Sequence, residues 1–346
     1  MERNKTMNAR RTKRAAWTAL AAVPALMLVG CSGGGSGTEA GGETRELTLA
    51  HSYNEEQPQH RCGAQVIADE VAAADVGLTV EIFASSQLGG DADRISSVAA
   101  GDIDIDIQGA SALGAVYEPI SVLDAAYVFE DADHLAAFME SEESQTVVDG
   151  FAEAAGVQTL GAWSAGARQF TANKPITEPA DLEGLRIRFP GSPQFLMNAK
   201  AMGASATEVA YEELYLALQQ GTVDGQENPI TNIKSQNLAE VQDYLSMTNH
   251  QLNTNLVIAG PVWNELSEEQ QTALNAAVDK AVGEVTECIA ADEEATLAEW
   301  KEAGDWEIVE DVDTEAFRSA ALEYLEGEYS GDSLAVFESI QATATN

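Results

Sequence analysis

Apolar and polar positions alternate most clearly at Leu185-Arg186-Ile187-Arg188-Phe189. There Leu185, Ile187 and Phe189 share one face of a predicted strand and the two arginines share the other. Pro190 has no N–H for a strand ladder and closes the segment. Arg188 therefore falls at the carboxyl end of its strand, the end at which open α/β sheets hold ligands. A guanidinium there can give a carboxylate two parallel charge-assisted hydrogen bonds. Its other use is a structural ion pair with one of the chain's many acids.

The same reading predicts strands at Glu46–His51, Leu78–Phe83, Ile103–Gln108, Val157–Trp163, around Thr222–Gln226, at Asn255–Gly260 and at Trp306–Val309. Helical spacing predicts helices from about Gln59 to Ala74, Ala92 to Ala100, Leu135 to Ala155 and Glu212 to Gln220. Ser267 with Gln270 forms a capping box for a long helix reaching Glu299, and terminal helices follow Val309. The β-loop-α-β-α-β order of the first hundred folded residues implies parallel strands under helices. No repeat of fixed period is present. The expected architecture is α/β with two lobes, 46–165 plus 254–293 and 166–253 plus 294–346. Two chain crossings between them would leave a hinged cleft, a favoured place for a ligand.

The first 30 residues change the picture of where this fold resides. Arg10, Arg11, Lys13 and Arg14 precede Ala15–Gly30, which is apolar apart from Thr18 and short for a membrane span. The stretch ends Leu28-Val29-Gly30-Cys31, which resembles the lipobox of bacterial lipoproteins. On that reading residues 1–30 are a signal peptide, Cys31 carries a lipid, and residues 31–45 are a Gly/Ser-rich tether. The folded part then lies outside the cytoplasm, anchored to the cell membrane at a periplasmic or outer face.

Charge narrows the partners. The chain holds 18 Lys/Arg against 57 Asp/Glu; residues 1–30 take six cations and one acid with them, leaving 12 against 56, a net charge of −44. Such a surface repels phosphate backbones, so nucleic acid is excluded as a partner. Of the seven arginines that remain, Arg168, Arg186 and Arg188 lie within 21 positions. An anionic ligand would have to be held by such local contacts against a repulsive field. Cys62 and Cys288 are left once Cys31 is lipidated; in an oxidising compartment they form either a disulfide or two buried thiols.

Catalytic patterns are missing. His51, His60, His134 and His250 have no zinc-binding spacing, and there is no P-loop, GxSxG elbow or dinucleotide glycine fingerprint. Asp102, Asp104 and Asp106 have the spacing of a calcium loop, but Ile107 stands where its glycine belongs, and alternation with Ile103 and Ile105 reads as a strand. No metal or cofactor is expected, and no enzyme.

The ordered segments GARQFTANKPI, DLEGLRIRFPGSP, ELYLALQQGTVDGQENP and MTNH resemble the solute-binding subunits of TRAP (tripartite ATP-independent periplasmic) transporters, and the similarity runs from about Leu47 to the C-terminal region. The resemblance implies a periplasmic-binding-protein-like fold, closing on a solute and docking as a monomer on the small and large subunits of a membrane permease. It implies that Arg188 salt-bridges a solute carboxylate, with Arg168 and Asn228 at the same cleft. His250 and Tyr211 fall at ligand-proximal positions, where a structural role competes with contact. In the first lobe it points to His51, Ser52 and Tyr53, to Asp91, and to the loop Gln108–Ser111. That loop carries Gly109 where some sialic-acid-binding members have glutamate, which counts against sialic acid. Trp163 and Ser164 stand at the interlobe strand, as ligand contacts or as linker packing. The solute expected is a sugar acid or a C4-dicarboxylate; an extracytoplasmic enzyme or sensor acting on acidic sugars is the alternative.

Overall fold

The computed structural model describes residues 44–304 and 306–344; the leader, Cys31 and nearly all of the tether lie outside them. β1 (Arg45–His51) pairs in parallel with β2 (Leu78–Phe83) on one side and β3 (Ile105–Gly109) on the other. The crossover between β1 and β2 is a π-helical stretch, Gln59–Ala64, running into α1 (Gln65–Ala73). After β2 comes α2 (Asp91–Ala100), and after β3 a short α3 (Ala110–Leu113).

Two long strands form the middle of the sheet. β4 (Gln158–Ala172) and β8 (Tyr244–Ala259) run antiparallel, 15 and 16 residues long. The sequence predicts only the first part of β4 and the last part of β8. The remainder has little alternation, because from Trp163 onward β4 is covered on both faces and almost every position is buried. Gly161 lets β4 approach the long helix: a Cβ there would sit 2.7 Å from Val278.

Beyond β4 the order is β7 (Gly225–Pro229), β5 (Arg186–Phe189) and β6 (Ser205–Glu208), parallel to one another. β6 is an exposed edge and leaves no apolar signature in the sequence. β7 starts three residues later than predicted, because Asp224 is occupied by the backbone and side chain of Arg186. Register places the ligand end. Gly109 at the end of β3 faces Asn255, which faces Trp163, while Pro229 at the end of β7 faces Arg168. Strands of both halves thus point their carboxyl ends at the middle of β4.

The predicted helix Leu135–Ala155 is two helices, α4 (Ala132–Met139) and α5 (Glu142–Ala155), because the Ser141 hydroxyl caps a new N-terminus by accepting from the Ser144 amide at 3.2 Å. α6 (Pro193–Ala201), α7 (Leu214–Gln219) and α8 (Ile230–Ser235) follow in the second half. α9 (Glu268–Ala303) carries the capping box of Ser267 and Gln270 and stops at a left-handed Gly304, a few residues past Glu299. Its first half packs Val278, Ala281 and Val285 with α1 and the β1–β3 sheet; its last turn puts Trp300 edge-on to Trp306 in a second core with α7 and α8. The fold is the two-lobed α/β type expected, with the long helix spanning both halves.

β9 (Glu307–Val309), α10 (Thr314–Glu328) and α11 (Gly331–Thr343) complete the chain. Here the core crosses the boundary expected at 165/166. α11 and α6 share one core with the segment 118–155, so that segment cannot be separated from the C-terminal helices. Cys62 and Cys288 are disulfide-bonded, tying the π-helical stretch to α9. The three aspartates do not converge: Asp102 is exposed, Asp104 accepts from the Thr48 amide and hydroxyl, and Asp106 pairs with Arg94.

Candidate ligand-binding cleft

A cavity of about 720 Å³ occupies the place where the carboxyl ends of the strands converge. Ser52, Tyr53, Asp91 and Gln108 line one wall, Arg188, Tyr211 and Asn228 the other, and Arg168, Asn253 and Asn255 the floor. Of the residues expected to meet a ligand, His51, Ser111, Trp163, Ser164 and His250 do not line it.

The two cleft guanidiniums differ in kind. Arg168, in the middle of β4, is spent on Glu227. Its Nε donates to Oε2 and its Nη2 donates to Oε1 at 2.7 Å and to the Glu227 carbonyl at 2.8 Å. Nη1 donates to Asn253 Oδ1 at 2.8 Å, Nη2 also reaches Asn228 Oδ1 at 3.2 Å, and the Phe195 ring lies 4.7 Å from the guanidinium carbon. Burial works against the charge on Glu227, but Arg168 and His250 overcome it and hold the carboxyl below its usual range. His250 sits behind this pair, fully buried and stacked on Phe170 at 4.4 Å. Its Nδ1 is 2.8 Å from Thr248 Oγ1 and its Nε2 is 3.3 Å from Glu227 Oε2. Burial pushes its pKa down, so the neutral ring holds Glu227 by an Nε2–H donor and does not reach the cleft. The ligand-contact reading of His250 is corrected to support of the Arg168–Glu227 pair.

Arg188, at the end of β5, is only 2 % exposed. Its Nε donates to the Val209 carbonyl at 2.9 Å, and its Nη1 is buried with no partner among the described residues. No acid lies within ion-pairing distance of it among those residues. Desolvation pushes its pKa down to about 10, which still leaves it charged at neutral pH. A buried guanidinium with free N–H groups costs free energy until an acceptor arrives. Arg186, expected on the same face, sits at the other end of the strand, exposed and paired with Asp224 at 2.7 Å.

The opposite wall is a hydrogen-bonded network of two aspartates around one arginine. Fully buried Arg94 donates to Asp106 and to Asp91, both at 3.0 Å, and Asp91 in turn accepts from the Ser52 hydroxyl at 2.9 Å. Gln108 is turned inward, its Nε2 on Asp106 at 3.1 Å and its Oε1 on the Gly109 amide at 2.9 Å. Tyr53 donates to Asn255 Oδ1 at 2.7 Å. On the other wall the Tyr211 hydroxyl lies 3.2 Å from Ser235 Oγ, and Asn228 Nδ2 donates to Gln226 at 2.6 Å. His51 turns away to His60, 3.1 Å between ring nitrogens.

Trp163 is not in the cleft. It packs near Gly63 and Val285 in the core between the sheet and α9, and its Nε1 has no partner among the described residues. That strand position points to the helix side, which corrects the ligand-contact expectation. Ser164 caps the Gly166 amide at 3.1 Å and lines a smaller pocket elsewhere.

Sequence reading missed Glu227, Asp124, Asn253 and Asn255. Asp124 lines the cleft and accepts from the Ser111 and Thr254 amides, both at 2.7 Å, while burial pushes its pKa up to about 6. The one available signal for Glu227 was its place, an acid within a short strand that must be covered on both faces.

The model of the bacterial extracellular solute-binding proteins, family 7, matches residues 49–332. The sialic acid-binding periplasmic protein of Vibrio cholerae is 33 % identical over 243 residues, 70 % of this chain and 76 % of that protein. A TRAP periplasmic solute-binding protein from Polaromonas, solved with D-erythronate, superposes with a TM-score of 0.81 at 30 % identity, covering 87 % of this chain and 99 % of that one. One from Roseobacter denitrificans, solved with L-galactonate, gives 0.80 at 30 % identity over 86 % and 99 %. The family is non-enzymatic, which sets aside the sugar-acid enzyme. The chain belongs to the bacterial extracellular solute-binding proteins of family 7, the periplasmic solute receptors of TRAP transporters.

Proposed function

We propose that this receptor captures a hydroxylated monocarboxylate, a sugar acid, with the carboxylate on Arg188. The observation that carries the reading is the buried Arg188 guanidinium with no acid beside it among the described residues. A carboxylate entering the cleft meets a desolvated donor pair, where charge-assisted bonds are strongest. Arg168 supplies at most one further N–H, and Asn228 and Tyr211 shape the same end. The Vibrio cholerae, Polaromonas and Roseobacter relatives bind sialic acid, D-erythronate and L-galactonate, each an acid with hydroxyls.

Sugar acids are favoured over C4-dicarboxylates on charge. The second cleft arginine is neutralised by Glu227, and the far wall presents Asp91. That wall can accept hydrogen bonds from hydroxyls, and its Arg94 is already paired with Asp91 and Asp106 and so does not answer a second carboxylate. Closure would bend the middle of β4 and β8, where the ladder shifts register between Ser164 and Ala167. The closed receptor would deliver its solute to the small and large permease subunits, as a monomer held at the membrane through lipid on Cys31.

A thermal-shift screen of the chain lacking residues 1–31 tests the reading, because a solute that binds only the native state raises the melting temperature. The panel is D-erythronate, L-galactonate, further aldonates and uronates, succinate, neutral sugars and amino acids. A rise with one hydroxy acid and none with succinate is expected. A rise with neutral sugars alone would remove Arg188 from the site, and a rise with succinate or amino acids alone would overturn the sugar acid.

A further inference from the structure

We propose that Ser86 and Glu212 form a latch across the mouth of the cleft, which makes Glu212 a positioning residue for closure. The Ser86 hydroxyl, on the loop after β2, donates to Glu212 Oε1 at 2.6 Å. Glu212 belongs to the loop between β6 and α7 on the opposite wall, 126 positions away.

The Ser86 side is built for aim. Ser85 and Ser86 both hold left-handed backbone, at φ 54° and 56°, a conformation that costs free energy in residues with a Cβ. They are pinned there by the end of the first strand: the Ser85 amide donates to the Tyr53 carbonyl at 2.8 Å and the Ser86 amide to the His51 carbonyl at 3.0 Å. Arg94 Nη1, buried behind the loop, donates to the Gly89 carbonyl at 3.0 Å and approaches Ser86 Oγ at 3.5 Å. The hydroxyl is thereby left to donate outward.

The Glu212 side connects to the carboxylate end of the cleft. Val209, whose carbonyl accepts a hydrogen bond from Arg188 Nε, and Tyr211 lie on the same loop, and residues 208–213 all line the cavity. One loop therefore bears both a contact to the Arg188 guanidinium and a contact that bridges the two walls at the mouth. The other bonds between Gln57 or Gln59 and α8 are longer, 3.4 and 3.5 Å, and lie away from the cavity lining except at Asn232. Neutralising Arg188 with a solute and closing the mouth are coupled through this loop, whatever acid the solute is.

Hydrogen exchange of the purified protein, read by mass spectrometry without solute, tests the latch. Each substitution is read in the opposite wall. Glu212→Ala should speed exchange in residues 84–90, and Ser86→Gly, which suits the left-handed backbone, should speed it in 208–213, each by about threefold or more for the loss of one charge-assisted bond. Glu212→Gln, which keeps an acceptor oxygen, should return most of the protection. Changes confined to the substituted segment would overturn the proposal. A rise that extends to β1 and α9 would overturn it too, because the pair would then be a contact of global stability.

Discussion

Arg168 and Glu227 meet inside the sheet with two parallel bonds, Nε on Oε2 and Nη2 on Oε1 at 2.7 Å, both side chains almost entirely out of water. Across β7, on β5, Arg188 has no such partner among the described residues. One arginine is spent on a carboxylate and the other has no acid beside it among the described residues, although both face the same cavity.

Arg188→Ala should abolish sugar-acid binding, by roughly 100-fold or more, because the carboxylate would be buried without its cation. The melting temperature without solute should hold or rise, since the substitution removes a desolvated charge and breaks no ion pair. Isothermal calorimetry with the hit from the screen, beside a thermal melt, reads both. Undiminished affinity would end the clamp.

Glu227→Gln has the opposite signature. It breaks a buried pair and strands the Arg168 charge, so stability should fall by about 3–5 kcal/mol. Urea unfolding of the two proteins decides it. A fall of less than about 1 kcal/mol, far short of a stranded buried charge, would mean that Arg168 finds other partners.

Glu293 on α9 carries a pH dependence of its own. Burial alone pushes its pKa up to about 7, and its Oε1 has no partner among the described residues. The folded state therefore holds this proton when the unfolded chain has lost it. The contribution to stability is present below the unfolded carboxyl pKa and is lost as pH rises through about 7. Glu293→Gln should be more stable than the wild type at pH 8 by about 1–3 kcal/mol, because each tenfold change in proton affinity amounts to ~1.4 kcal/mol. At pH 4 the two should be nearly equal. Parallel unfolding curves at both pH values, with no convergence, would contradict this.

The net charge of −44 on residues 31–346 opposes both compaction and the approach of an anion. Screening shortens that repulsion to about 10 Å at 0.1 M salt and about 3 Å at 1 M. Melting temperature and the association rate of the sugar acid should therefore rise together with KCl, the reverse of an electrostatically steered encounter. Stopped-flow rates that fall with salt would show that the cleft's own positive field dominates.

The sequence by itself determined the elements that carry a period or a punctuation mark. β2 stands where alternation put it, the capping box of Ser267 and Gln270 starts α9, and Pro190 ends the strand that delivers Arg188 to the cleft. It also determined, through the ordered segments from GARQF to MTNH, which family's fold they build. Tertiary structure decided what each polar side chain does. Strands β4 and β8 are covered on both faces, so a period that reports one wet face says nothing about their length or about which way Trp163 points. Whether an arginine is spent or free depends on register: pairing Gln169 with Asn228 and Phe170 with Glu227 brings a carboxylate 59 positions away against Arg168, and among the described residues no acid arrives at Arg188. Burial makes that difference decisive, because a charge out of water has to be answered by a specific neighbour, and neighbours are set by the fold.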